Sequence, residues 1–395
     1  MVWQTSLFII IIIIIITTRA SNISIMAQPS PSASRPDHIP AYVKESHFGI
    51  CIERFDANIP FESNILVVEV LHTFPSTTSL VKLVQFTIQG IAEKAVLKLY
   101  DRTHPGRIRE FTAPSITEDG AYRSFVRSRK MRNFTPRLES NRRSAPDGQT
   151  AIGYFSYNRQ GASTPDTKAE FEAAIWYEFD QRHKTELRAY KQLQSMQSTK
   201  IPQIYANVRI PLSIIDKGGE ATPEEEEYLS VPGILLQYYE CRNLCDLQFP
   251  GRVQIESDPL HFKWASLAQR AVDAIHEIND LGIILRSYNN NAIFKRQNGN
   301  EEPYIIDFAE VVFKEDLIEA WIKARERAGF AAAEYLPWQR DVRYWETAKS
   351  HGNPAAISEA FRTHLRNLQV LYLGCPSRLL FTSTKPADSP SRLIM

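Results

Sequence analysis

Alternation of apolar and polar positions predicts a run of strands from about His47 onward. Phe48–Ile52, Ile65–Phe74, Leu80–Gln89 and Ala95–Tyr100 each mix β-branched and aromatic residues with a period near two. The turn Pro75-Ser76-Thr77-Thr78 separates the second from the third, so an antiparallel meander is expected. In the last strand, alternation puts Val96, Lys98 and Tyr100 on one face and Leu97 and Leu99 on the other. A helical period then runs from Ala169 to about Gln194, marked by Phe171, Ile175, Phe179, Leu187, Tyr190 and Leu193. Ile204–Ile210 and the stretch VPGILLQYYECRNLCDL read as further strands, the second running out into a linker. Ala265–Leu281 is amphipathic, with its stripe formed by Leu267, Ala268, Ala271, Val272, Ile275 and Ile278, and Gly282 ends it. Next come two short strands, Ala292–Lys295 and Pro303–Ile306, around Asn298-Gly299. That pair tolerates the positive φ a tight hairpin needs. The hairpin delivers Asp307 to one end of a small sheet. Residues Lys314–Ala328 are helical, and a later helix opens near Asp341–Trp345.

Composition adds boundaries to this pattern. The 395 residues carry a net charge of +1 and an ordinary apolar fraction, enough for one two-lobed domain with tails and giving no sign of nucleic-acid binding. Leu7–Ile16 is too short an apolar run to span a bilayer, and no Lys or Arg precedes it as a signal peptide would require. Residues 1–40 are therefore taken as a leader outside the fold, with Met26 as the expected initiator and a signal peptide as the alternative. The four cysteines make no disulfide or zinc framework, which suits a reducing, cytoplasmic setting. An insertion is expected over 103–168. Its basic block, Arg123–Arg143, and the acidic run Glu224–Glu227 both read as solvated loops. The Ser- and Pro-rich end, 373–395, reads as a disordered tail.

Individually, the candidate reactive residues are ordinary. Lys98 alone is an edge lysine, and Glu186 is one of many helix-surface glutamates. Their order along the chain changes this. AVLK, ending at Lys98, resembles the Val-Ala-Ile-Lys strand of protein kinases, whose lysine holds the α- and β-phosphates. ELRAYKQLQSMQSTKIPQIYA, beginning at Glu186, resembles the helix whose glutamate pairs with that lysine, in the form seen in fungal kinase-like proteins; Glu178 is the alternative partner. Leu236 stands in the gatekeeper place, with Gln237–Tyr239 as the hinge backbone. Asp307-Phe308-Ala309 resembles the magnesium-binding Asp-Phe-Gly.

The catalytic loop departs from the family. Laying LGIILRSYNNNAIF on His-Arg-Asp and its downstream Asn puts Leu285 for the His, Arg286 for the Arg, Ser287 for the Asp and Ala292 for the Asn. A one-residue slip restores a metal ligand at Asn291 but sets Arg286 where the base belongs. No glycine-rich loop occurs in Leu71–Leu80, and no Ala-Pro-Glu stands after Asp307.

The resemblance thus implies an α+β, bilobal kinase-like fold. Its antiparallel β lobe with one long helix would span 41–240, and a truncated, mainly helical lobe 241–372. It implies ATP and Mg as cofactors, held by Lys98, Glu186, Leu236, Gln237 and Tyr239 and by Asp307 and Asn291. The function expected is that of a pseudokinase acting through an unknown protein partner. An active atypical phosphotransferase and a scaffold that binds no nucleotide are the other readings.

Overall fold

The computed structural model describes residues 42–53, 61, 63–76, 78–109, 113–144, 164–212, 221–243, 259–286, 292–297, 300–330, 337–352 and 354–355. The expected leader and tail, the Thr77 and Asn298-Gly299 turn positions, Cys245, Cys375 and Ser287–Asn291 lie outside the described residues.

The fold is mixed, with antiparallel sheets and several helices. Strands β1 (His47–Glu53), β2 (Ile65–Phe74), β3 (Leu80–Ile88) and β4 (Ile91–Leu99) form the expected meander. The last two begin and end around Gln89-Gly90, whose φ values of 50° and 77° give a tight turn with both central residues left-handed. That turn brings Ala92 and Ile91 into the ladder, so β4 starts four residues earlier than the apolar pattern of Ala95–Tyr100 suggests.

Two later strands, β5 (Ile204–Ile210) and β6 (Val231–Gln237), then complete a closed barrel in the order β1-β2-β3-β4-β6-β5. Closure comes from Cys51, Ile52 and Glu53 pairing with Arg209, Val208 and Asn207. Every residue of β6 from Val231 to Leu236 is buried, because it runs between β4 and β5 with both faces covered. At its centre only glycine fits. A Cβ on Gly233 would lie 2.8 Å from both Leu99 Cδ2 and the Lys98 carbonyl oxygen.

The insertion departs from expectation. The basic block is not a loop but falls on two helices, α1 (Ile116–Arg127) and α2 (Met131–Ser144). Ser115 caps α1 reciprocally with Glu118, and Tyr122, Phe125, Val126, Phe134 and Leu138 are buried. Further along, the long helix α3 (Pro165–Gln192) starts at a Thr164 cap with proline in its first turn. Its N-terminal half is tied to α1 by a buried cluster. Arg109 grips Glu172 through both terminal nitrogens at 2.8 and 2.9 Å, and Arg102 bridges Glu172 (2.7 Å) and Asp119.

The run Glu224–Glu227 is likewise helical, in α4 (Pro223–Leu229), capped by Thr222 with Glu225. The two charge runs meet: Arg127 pairs with Glu225 at 3.1 Å and Arg132 with Glu224 at 3.4 Å. Each looks like a solvated loop when read alone, because its neutralising partner lies about a hundred residues away.

The rest of the chain holds β7 (Cys241–Asn243), α5 (Pro259–Asp280), β8 (Ile283–Leu285), β9 (Ala292–Gln297), β10 (Asn300–Ile305), β11 (Val311–Phe313), α6 (Lys314–Arg327) and α7 (Pro337–His351). The predicted stripe of α5 is buried, and Gly282 leaves it at φ 84°. The hairpin β9–β10 pairs Gln297 with Asn300 and adds β7 on its other side. Asp307 is followed not directly by a helix but by β11, which pairs with β8. Among the described residues no helix is long and apolar enough to cross a membrane.

Candidate functional site

Three distant segments meet at Lys98. Strand β4 is paired on both sides, Lys98 lying opposite Val81 of β3 and Ile234 of β6, so the face from which its side chain leaves the sheet is fixed. It lies 2.6 Å from Glu186 Oε2, on the second half of α3, and 2.7 Å from Asp307 Oδ1. Of the two glutamates on that helix weighed as its partner, Glu186 and Glu178, Lys98 thus pairs with Glu186. Lys98 and Glu186 are buried, whereas the Asp307 carboxylate keeps 40% of its side-chain surface exposed.

The electrostatics follow from this geometry. Burial by itself would lower the Lys98 ammonium, but the Asp307 and Glu186 carboxylates outweigh it, and its pKa is pushed up to about 12. Lys98 holds the Asp307 carboxyl below its usual value. Burial pushes Glu186 upward, opposed by the Lys98 charge and by hydrogen bonds from Lys98 and Tyr100.

Asp307 is presented by an unusual backbone. Its φ of 66° lies in the left-handed region, which Asp tolerates better than most residues but which is uncommon outside glycine. Such strain persists where surrounding contacts over-determine it. Here Ile305 N–H bonds to the Lys200 carbonyl, Phe308 is fully buried edge-on against Tyr190 with centroids 5.3 Å apart, and Arg286 N–H donates to the Glu310 carbonyl. Leu285 is buried in the same core as Tyr190 and Phe308. Helix α3 is in turn pinned to elements on either side of Asp307. Arg188 clasps Asp316 at 2.6 and 2.8 Å and stacks on Phe313, Arg182 pairs with Glu310, and Gln192 reaches the Leu281 carbonyl at 2.6 Å.

Of the other predicted residues, Leu236 is buried opposite Val96 on β4, in the core beneath Lys98. Gln237 ends β6, and its N–H is donated to the Gln203 carbonyl at 2.8 Å, so that group does not face a ligand. The Tyr239 hydroxyl bonds to the Gln237 side chain, and its ring packs on Tyr304 with Lys295 3.9 Å over it. Ala292 opens β9, directly opposite Ile305. Ser287 and Asn291 fall outside the described residues. Among the described residues no group of three His, Cys, Asp or Glu side chains could hold a metal.

Two members of the site were not singled out by sequence. Tyr100, two residues beyond Lys98, donates its hydroxyl to Glu186 Oε2. Tyr190, one turn beyond Glu186, backs Phe308. Their spacings of two on a strand and four on a helix were the available signals.

No family model and no curated protein matches the chain. Among solved structures it is similar to a double mutant of the PknI kinase domain of Mycobacterium tuberculosis, at 12% identity over 80% of this chain and 99% of that one, with a TM-score of 0.27.

Proposed function

We propose that this chain is a bilobal, protein-kinase-like protein of the pseudokinase kind, akin to the fungal kinase-like proteins its sequence resembles. It binds magnesium-ATP weakly, transfers phosphate poorly or not at all, and acts through a protein partner. The observation that carries this reading is Lys98 held between Glu186 and Asp307. A lysine–glutamate pair beside a metal-binding aspartate is what a kinase needs to hold nucleotide phosphates.

In this reading Lys98 takes the phosphates and Asp307 the metal, with the Gln237–Tyr239 segment beside the adenine, although the Gln237 N–H is committed to the Gln203 carbonyl and makes no bond to it. The residues fit the cation. Magnesium is usually held by one or two carboxylates together with substrate phosphates, and Asp307 is a partly exposed carboxylate 2.7 Å from the phosphate-binding lysine. Bound magnesium would neutralise charge on the phosphates. What is missing is the base. Leu285-Arg286-Ser287 offers no carboxylate at that position, and a positioned base contributes roughly 10²–10⁴ in rate.

The assembled pair also favours a second reading, an active atypical phosphotransferase. In phosphoryl transfer, positioning and charge stabilisation do most of the work, and both depend on that pair. One set of measurements decides. Melting with ATP and magnesium at about 100-fold over Kd should stabilise the fold by about 2.7 kcal/mol, and Lys98→Met should abolish the shift. No shift in the wild type would point to a scaffold without nucleotide. Turnover near background that rises with Ser287→Asp plus Ala292→Asn supports the pseudokinase. Robust wild-type turnover lost in Asp307→Asn supports the phosphotransferase.

A further inference from the structure

Tyr100 is the residue of this site whose role the lysine–glutamate–aspartate arrangement leaves unexplained. It stands directly after β4, and its N–H is held by the Pro232 carbonyl at 2.9 Å, so the ring has a fixed origin. The ring is 2% exposed and packs with Ile175 and Phe179 of α3 and with Ala309, two residues past Asp307. It lies against His183, with centroids 5.3 Å apart. Its hydroxyl donates to Glu186 Oε2, the same oxygen that accepts from Lys98 at 2.6 Å, and Lys98 sits 5.7 Å from the ring centroid. Among the described residues, the other oxygen, Oε1, accepts a long 3.4 Å contact from Phe308 N–H.

We propose that Tyr100 is a positioning residue, whose hydroxyl holds the Glu186 carboxylate in place while Lys98 divides its hydrogen bonds between Glu186 and an anionic ligand. A buried carboxylate whose principal donor turns toward another anion needs a second donor, or it loses orientation in a site where an unpaired charge is costly. A neutral phenol serves because it carries no charge to compete with Lys98 for the ligand. The nucleotide consequence rests on the function proposed above; the hydrogen bond itself does not.

The test uses the full chain and Tyr100→Phe, which keeps the ring. With ATP and magnesium as the probe, the variant should bind about ten-fold more weakly or worse, the usual scale for losing a hydrogen bond to a charged group. Made on Glu186→Ala, the same change should alter affinity by less than about two-fold, because its effect passes through Glu186. An equal loss in both backgrounds would overturn the proposal.

A readout without nucleotide separates the two ideas. In protein labelled with ¹⁵N-lysine, the Lys98 ammonium signal should move in Tyr100→Phe. It should stay put in Tyr122→Phe, a buried tyrosine bonded instead to the Tyr228 carbonyl. If the wild type binds no nucleotide but the Lys98 signal moves, the positioning role stands and the nucleotide reading falls. An unmoved signal overturns the positioning role. On the wild type the bond is also read directly, as a downfield Tyr100 hydroxyl proton that disappears in Glu186→Ala. A proton signal that survives would overturn the proposal even if Tyr100→Phe did not fold.

Discussion

Lys98 and Asp307 are 209 positions apart in the chain and 2.7 Å apart in space, with Asp307 reaching that contact from a left-handed backbone. Glu186 completes the arrangement from a third segment, and the three residues differ in burial. That difference sets what each substitution does.

Lys98→Met leaves the Glu186 carboxylate buried without its cation. The expected cost is about 3–5 kcal/mol of stability, the usual range for breaking one side of a buried pair. Lys98→Met with Glu186→Met should recover much of that loss, since an apolar pair of similar volume removes both desolvation penalties. Asp307→Asn should cost under about 1 kcal/mol, because its carboxylate is 40% exposed and asparagine tolerates the same backbone. Chemical denaturation of the wild type and the three variants checks the ranking, which fails if Asp307→Asn proves the most damaging.

Gly233 and Gly90 separate two uses of glycine. A methyl at Gly233 would meet Leu99 and the Lys98 carbonyl at 2.8 Å inside the barrel, so Gly233→Ala should cost at least about 1–3 kcal/mol and disturb the Lys98 strand. Gly90 has open space around it and needs only its φ of 77°. Gly90→Ala should therefore cost about 1 kcal/mol and leave the site intact. Comparable losses at the two positions would contradict the close approach of β4 and β6.

Acid should weaken the fold through His183. Asn207 Nδ2 donates to Glu53, which turns its Oδ1 toward His183 Nε2 at 2.9 Å and makes that ring nitrogen the donor. Burial holds the pKa of His183 below its ordinary 6.5. The unfolded chain therefore takes up the proton first, and stability falls as pH drops from 6.5 through the lower folded value. His104 is depressed by burial as well and adds to the same limb. Melting temperatures between pH 7.5 and 5 should show a shallower acid decline in His183→Gln than in the wild type; parallel curves would exclude His183 as a contributor.

Much of the fold was legible because its signals are local. Strand alternation, the stripe of α5, the glycine at 282 and the pairing of two strands before Asp307 depend on neighbours within a few positions and appear in the predicted order. Strand β4, however, begins at Ile91 and β10 at Asn300, ahead of the predicted Ala95 and Pro303. Lys98, Glu186 and Asp307 could be singled out in order along the chain, but not joined by any property of the residues alone.

Their meeting required the tertiary structure, as did the closing of the barrel by β1 on β5 and the conversion of two apparent loops into helices. Arg127 and Glu225 show the physical reason. Read locally, each belongs to a like-charged run that favours solvent; packing sets the two runs against each other across 98 positions while burying Tyr122, Phe125, Phe134 and Leu138 between the helices and their neighbours. The same holds for Tyr100. Alternation assigned it the face of Lys98, but that its hydroxyl would find Glu186 depended on where α3 lies against β4, which no short-range pattern specifies.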